Sequence, residues 1–158
     1  MSAKHPKRKE RPGVDRAGRT KLHYAAQDGD TAAVQRLLAE GLNPCAMDDE
    51  GWTPLHFAAQ GNAAEAARLL LDAGAQVDAR DSTGHTPLFQ AVWSSRGRGD
   101  TIRLLRAYGA DPHAQNSRGT SPLRLARVIA NFNVRQYFSD LPKAADAEPN
   151  SAADWPPE

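Results

Sequence analysis

One unit of about 33 residues recurs four times in this chain, and its period constrains the fold more than any other feature. Its clearest marker is a leucine that follows Thr-Pro or a close variant. The steps between successive marker leucines are 33, 33 and 35 residues, and these leucines are Leu22, Leu55, Leu88 and Leu123. A period of this size is typical of a repeat protein, in which each unit buries its apolar face against its neighbours.

Local signals recur in phase with these leucines and predict two short helices in each unit. An aspartate or asparagine stands three residues before a glycine at the start of every unit, which is turn chemistry. The first of each pair is Asp15, Asp48, Asp81 or Asn116. A threonine or serine then supplies the N-cap of a helix, and proline follows it in three units. A second helix is predicted to end before Gly41, Gly74 and Gly109.

Two stretches of the second unit carry a resemblance to a known family. Residues 53–59 read T-P-L-H-F-A-A, and residues 70–75 read L-L-D-A-G-A. The unit resembles the ankyrin repeat. The resemblance implies an all-α ankyrin-repeat solenoid of stacked helix-turn-helix units with β-turn or hairpin fingers. This domain would span residues 14–141, and we expect the protein to be a monomer. Its four repeats would span about 15–47, 48–80, 81–115 and 116–141.

The histidine of the motif is present only in the first two repeats. The resemblance implies that His23 and His56 bond the threonine of their own motif and the backbone of the neighbouring loop. They occupy the same position in adjacent repeats and should be about one repeat apart in space, so we expect them to lie too far apart to share a metal ion. Phe89 and Arg124 take this place in the third and fourth repeats, where packing or charge must replace the polar contact.

Charge is distributed unevenly between the two ends of the chain, although the formal net charge is only +1. Residues 1–13 are basic and residues 142–158 are acidic. The first has almost nothing apolar and the second is rich in Pro, Ala, Asp and Glu, so we expect disordered tails. The basic tail either solubilises the protein or serves as an arm for nucleic acid or anionic lipid. Between the tails the signs cancel, which argues against specific nucleic-acid binding.

Several function classes find no support in the sequence. Cys45 is the only cysteine, and no base stands at a fixed phase to it, so an inert, half-exposed thiol is expected. No nucleotide-binding glycine loop or paired-carboxylate motif is present, and no apolar run approaches a membrane span. We therefore expect a non-enzymatic protein without cofactor or metal, in the cytoplasm. Abundant alanine and arginine suit a GC-rich bacterial genome.

The third and fourth repeats depart from the pattern. Residues 93–99 of the third read W-S-S-R-G-R-G, which is two residues longer than the corresponding loop of the other repeats. On this loop Arg96 and Arg98 could bind a phosphate, or Arg96 could brace the loop by pairing with a carbonyl or an aspartate. In the fourth repeat, Phe132, Val134, Tyr137 and Phe138 are predicted to form an aromatic second helix that closes the stack.

The resemblance implies a concave binding face made of the finger tips and the exposed side of the first helices. Tryptophan and arginine are frequent anchors of protein interfaces. Trp52 is the sharpest candidate, since its finger-tip position is not expected to be needed for packing; alternatively it braces the stack. Trp93 is a further candidate anchor; alternatively the inserted loop folds over it. The candidate partner-binding residues are Arg16, Arg19, Met47, Glu50, Trp52, Gln60, Arg80, His85, Trp93, Arg96, Arg98 and Arg118.

Three functions are compatible with this sequence. The first is a non-catalytic module that binds a protein partner, of unknown identity, on its concave face. The second is a bacterial immunity or antitoxin protein that neutralises a toxin partner, as the resemblance to small free-standing bacterial ankyrin proteins implies. The third and weakest is a nucleic-acid-associated accessory protein, based on the basic tail with Arg96 and Arg98.

Overall fold

The computed structural model describes residues 11–129 and 133–141, so most of the predicted tails lies outside the described residues. Over this part, the chain forms seven α-helices and one short 3-10 helix, with no strand. The first helix of each repeat is called the inner helix here, and the second is called the outer helix. The helices are α1 Lys21–Asp28, α2 Thr31–Ala39, α3 Pro54–Gln60, α4 Ala64–Asp72, α5 Pro87–Ser94, α6 Asp100–Ala107, α7 Pro122–Val128 and the 3-10 helix Val134–Phe138.

The inner helices start where the sequence predicts. Thr20, Thr53, Thr86 and Ser121 are N-caps with extended backbone, and proline begins the last three of these helices. α1 ends at Gly29 with φ 68°, and Asn62, at the same phase of the second repeat, has φ 52°. Both left-handed residues were expected, because Gly and Asn adopt this conformation most easily.

Successive repeats stack through like helices. The inner helices α1, α3, α5 and α7 pack in series, and so do the outer helices α2, α4 and α6. The four marker leucines lie along the inner row and are at most 2% exposed. The predicted spine is therefore confirmed, and one continuous core runs through the stack.

The turn loops between repeats, called fingers here, span residues 15–19, 48–52, 81–85 and 116–120. Each is closed by its first side chain: Asp48 Oδ1 accepts hydrogen bonds from the amides of Glu50 and Trp52 at 2.9 and 2.8 Å. Adjacent fingers are joined by backbone hydrogen bonds from Asp49 to Ala17, Ser82 to Glu50 and Ser117 to Thr83, of 2.8 to 2.9 Å. The fingers are thus held side by side in one row.

Two buried histidines link consecutive repeats, as the resemblance implied. His56 Nδ1 accepts from the backbone amide of Thr53 at 3.2 Å, and its Nε2 lies 2.9 Å from the carbonyl oxygen of His85. His23 does the same between Thr20 and Trp52. Because Nδ1 accepts, the proton of the neutral ring is on Nε2 and is donated to the next finger.

The third repeat lacks this link to the next finger and has a ring contact within the repeat instead. Phe89 stands where histidine is expected, and its ring stacks on His85 with centroids 4.3 Å apart. The longer loop after α5 is held from another repeat, since the Tyr137 hydroxyl donates to the Gly97 carbonyl at 2.7 Å. Asn62 Nδ2 donates to the carbonyl of Ser94 at 2.7 Å.

At this end of the stack the predicted second helix of the fourth repeat is present, and the interpretation of Arg96 as a brace is wrong. The second helix of the fourth repeat is a 3-10 helix, Val134–Phe138, rather than an α-helix, and Phe132 lies outside the described residues. Within the described part of the chain, the Arg96 side chain has no hydrogen bond or ion pair, so Tyr137 braces the loop instead. Asp140 is bound by Arg106 at 2.6 and 2.7 Å, and this hydrogen bonding lowers the pKa of Asp140 to about 2.

Gly61 is predicted to be essential for stacking the second repeat on the first. A Cβ at this position would lie 2.1 Å from the backbone oxygen of Gln27, although the φ of −77° suits any residue. Gly61→Ala should therefore lower the free energy of unfolding by about 1 to 3 kcal/mol through overpacking. Urea denaturation measures this change in the free energy of unfolding. The control Asp28→Ala alters the corresponding exposed position of the first repeat and should cost less than about 0.5 kcal/mol.

The opposite outcome has a clear physical meaning. Alanine is a better helix former than glycine by about 1 kcal/mol. If Gly61→Ala stabilises the protein, the two repeats do not approach as closely as the structure shows.

Stability should fall as the pH is lowered from 7.5 to 5.5. Burial lowers the pKa of His23 and His56 below the usual 6.5, so the unfolded chain binds more protons between each lowered pKa and 6.5. The free energy of unfolding then decreases by at most about 1.4 kcal/mol per pH unit for each histidine. Urea titrations at several pH values measure the slope. His56→Gln should reduce it, and a flat profile in the parent protein would contradict the buried neutral rings.

Candidate functional site

Side chains one period apart lie next to each other on the inner helices. Gln27 is in the last turn of α1 and Gln60 ends α3, and the Nε2 of Gln27 donates to the Oε1 of Gln60 at 2.9 Å. Gln60 is exposed. The expected row of side chains on one wall is therefore present, at least where the first two repeats meet.

A shallow depression of about 290 Å³ lies between these helices and the first two fingers. It brings together four of the predicted residues, and three others complete its lining. The lining residues are Arg19, Gln27, Asp48, Glu50, Trp52, Phe57 and Gln60. The depression combines aromatic rings with amide and charged groups, which is the mixture found in protein interfaces.

Trp52 is half-buried in this depression and takes part in packing. Its ring contacts Phe57 edge-on, with centroids 5.4 Å apart, and lies 5.8 Å from the ring of His56. The expectation that packing does not need Trp52 is therefore wrong, because the residue also belongs to the border of the core. The ring is fixed in place and still lines the depression.

Arg19 is held by contacts on two sides. Its Nε donates to Asp48 Oδ2 at 3.2 Å, and its guanidinium lies 5.2 Å from the centre of the Phe57 ring. The carboxylate of Asp48 is almost fully buried. A partner that meets this arginine therefore finds it already oriented.

The neighbouring edge of the face is acidic. Glu50 is exposed at the second finger tip, and Asp49 forms an ion pair with Arg11 at 2.8 Å. At the first finger, hydrogen bonds from the Tyr24 hydroxyl and from the Arg19 amide lower the pKa of Asp15 below its usual 3.8. With its pKa lowered, the Asp15 carboxylate stays charged to a lower pH than an ordinary aspartate does.

The other predicted residues lie outside this depression. His85 is half-buried against Phe89, and Arg80 Nη1 donates to the Gln115 carbonyl at 2.7 Å. Trp93 and Met47 are each 58% exposed. The remaining members of this group are exposed at the outer surface: Arg16, Arg96, Arg98 and Arg118.

Of the three other lining residues, Gln27 lies on the predicted face of the first helices, and sequence reasoning missed Asp48 and Phe57. Asp48 was assigned only to turn formation, and Phe57 was noted only as part of the motif of its first helix. A signal for Phe57 existed, because its equivalents in the first and third repeats are Tyr24 and Gln90. A column that accepts tyrosine and glutamine has access to polar groups, and Phe57, although only 4% exposed, lines the depression.

Other chemistry is limited in the described residues. They contain no group of three or more His, Cys, Asp or Glu side chains that could hold a metal ion. Cys45 is half-exposed, and its Sγ donates to the carbonyl of Gly74 at 3.5 Å. None of the helices in residues 11–129 and 133–141 has the length and apolar character of a membrane span.

Comparisons with known proteins agree with the repeat geometry. Residues 22–116, which are more than half of the chain, match ankyrin repeats in three copies. A search of curated proteins finds no match. Ankyrin repeats generally mediate protein–protein interaction and are typically non-catalytic. The stacked helix pairs, the linked fingers and this match together show that the chain belongs to the ankyrin repeat family.

Proposed function

We propose that this protein is a non-catalytic module that binds a protein partner on the face formed by its fingers and inner helices. The observation that carries the proposal is the depression between the first two repeats, where Trp52 and Arg19 are both accessible and both fixed. Tryptophan and arginine supply much of the binding energy in protein interfaces when they are held in place at the centre of the contact.

Rigidity of this face supports the proposal. The finger that carries Glu50 and Trp52 is closed by Asp48 and bonded to the fingers on both sides. Binding then orders few new degrees of freedom, which lowers the entropic cost of association. We infer that the protein binds its partner as a monomer in the cytoplasm, where its single cysteine remains reduced.

The sequence also suggested two alternative functions, which would give different experimental results. A toxin domain as the partner would make this an immunity or antitoxin protein. Nucleic acid is less favoured, because the exposed carboxylate of Glu50 lines the depression and would repel phosphate. A nucleic acid would also bind with a steep dependence on salt concentration.

An affinity pulldown from the organism that makes this protein, read by quantitative mass spectrometry, tests the proposal. Three baits are compared: the parent chain, Glu50→Lys at the rim of the depression, and the control Glu40→Lys at the end of α2. Both substitutions reverse one charge at an exposed site, so both should leave the thermal midpoint nearly unchanged.

The expected result is at least one protein that the parent chain and Glu40→Lys recover equally and that Glu50→Lys recovers at least tenfold less. Recovery of the same proteins by all three baits would show that the depression is not used. Trp52→Ala is a poorer test, because losing its contact with Phe57 would also lower stability.

A further inference from the structure

Trp93 and Val128 expose large apolar side chains at one end of the inner-helix face. Trp93 is 58% exposed in the last turn of α5, and Val128 is 54% exposed at the end of α7. Neither lines the depression that contains Trp52. A tryptophan and a valine that leave this much surface in water are a candidate contact for a partner.

The register of the stack puts these two residues at equivalent positions of neighbouring inner helices. Each is seven positions after the N-cap of its inner helix, as Gln27 and Gln60 are in the first two repeats. The amides of Gln27 and Gln60 are in hydrogen-bond contact, and α5 packs directly on α7. The row therefore changes from polar in the first two repeats to apolar in the last two.

Charge changes along the stack in the same way. Residues 81–141 contain eight arginines and four aspartates, with no lysine or glutamate. Residues 11–80 contain seven basic and ten acidic residues. Of the four aspartates, Asp140 pairs with Arg106 and Asp100 with Arg103, and Asp81 is buried within its own finger. The half of the stack that carries Trp93 therefore has a net positive charge.

Arg96 and Arg98 are displayed next to Trp93 on a loop that the rest of the fold holds. The Tyr137 hydroxyl donates to Gly97, and Ser95 Oγ donates to Val92. Both arginines are exposed, and within residues 11–129 and 133–141 neither guanidinium has a hydrogen-bond or ion-pair partner. Arg96 has φ 47°, a conformation that glycine would adopt at lower cost.

We propose that Trp93 and Val128, with Arg96 and Arg98, form a second docking site for an acidic segment that carries an apolar side chain. The inference rests on the proposed function and names the chemistry of the partner. The apolar side chain packs on Trp93 and Val128, and flanking carboxylates pair with the two arginines. Arginine suits this role because its fork of donors matches a carboxylate.

A peptide fits this site better than nucleic acid does. Single-stranded nucleic acid binds along several aromatic platforms in succession, together with a basic groove. Here Trp93 is the single exposed tryptophan of the described residues, and the face becomes acidic towards Glu50. A short acidic segment, in contrast, needs only one apolar contact between two positive charges.

Fluorescence anisotropy with synthetic probes tests the site. The probes are a labelled peptide of four Asp and four Glu residues around a central leucine, the same peptide with serine at the centre, and a single-stranded oligonucleotide of equal charge. The full chain is compared with Trp93→Ser and with the double variant Arg96→Ser/Arg98→Ser. The controls are Arg36→Ser on α2 and Glu40→Lys at the end of α2, with circular dichroism to confirm folding.

The leucine peptide should bind the parent chain at least tenfold tighter than the serine peptide does. Trp93→Ser and the double variant should each weaken it at least tenfold, while both controls stay within twofold. The inference is overturned if the leucine peptide does not bind, if Arg36→Ser weakens it equally, or if the oligonucleotide binds more tightly. Such a failure leaves the pulldown with Glu50→Lys unaffected, because that test reads a different part of the face.

Discussion

The contact between successive repeats is the interaction on which the rest of this structure depends. A pair of helices of seven to nine residues each is too short to be stable alone in water. Each pair becomes stable by burying alanine and leucine side chains against the next pair, with Leu55 and Leu88 fully enclosed. The same contact aligns the fingers, so stability and the shape of the candidate binding face have one origin.

Much of this fold could be predicted because the same local sequence signals recur in successive repeats. The N-caps, the finger aspartates, the leucine spine and the histidine links all recur at one period, and each occurs where its local chemistry requires it. Contacts without a period could not be predicted. Tyr137 reaches Gly97 across 40 residues, and the close approach of Gly61 to Gln27 depends on the distance between two helices.

The binding face was predicted in outline and corrected in detail. Columns of residues 33 apart indicated which side chains share a wall, and four of the candidates do meet in the depression. Sequence alone could not show that Trp52 packs against Phe57. The charges between the tails nearly cancel in total, as the sequence indicated, but residues 11–80 are acidic and residues 81–141 are basic.

Hydrogen exchange of the finger amides, measured by NMR spectroscopy, tests most directly whether the repeats hold this face rigid. The amides of Asp49, Ser82 and Ser117 each donate to the preceding finger. They should exchange at least about 100-fold more slowly than in an unstructured chain, since opening them requires separating two repeats. Exchange at the rates of an unstructured chain would show that the fingers move independently, and the account of a preformed binding face would then be wrong.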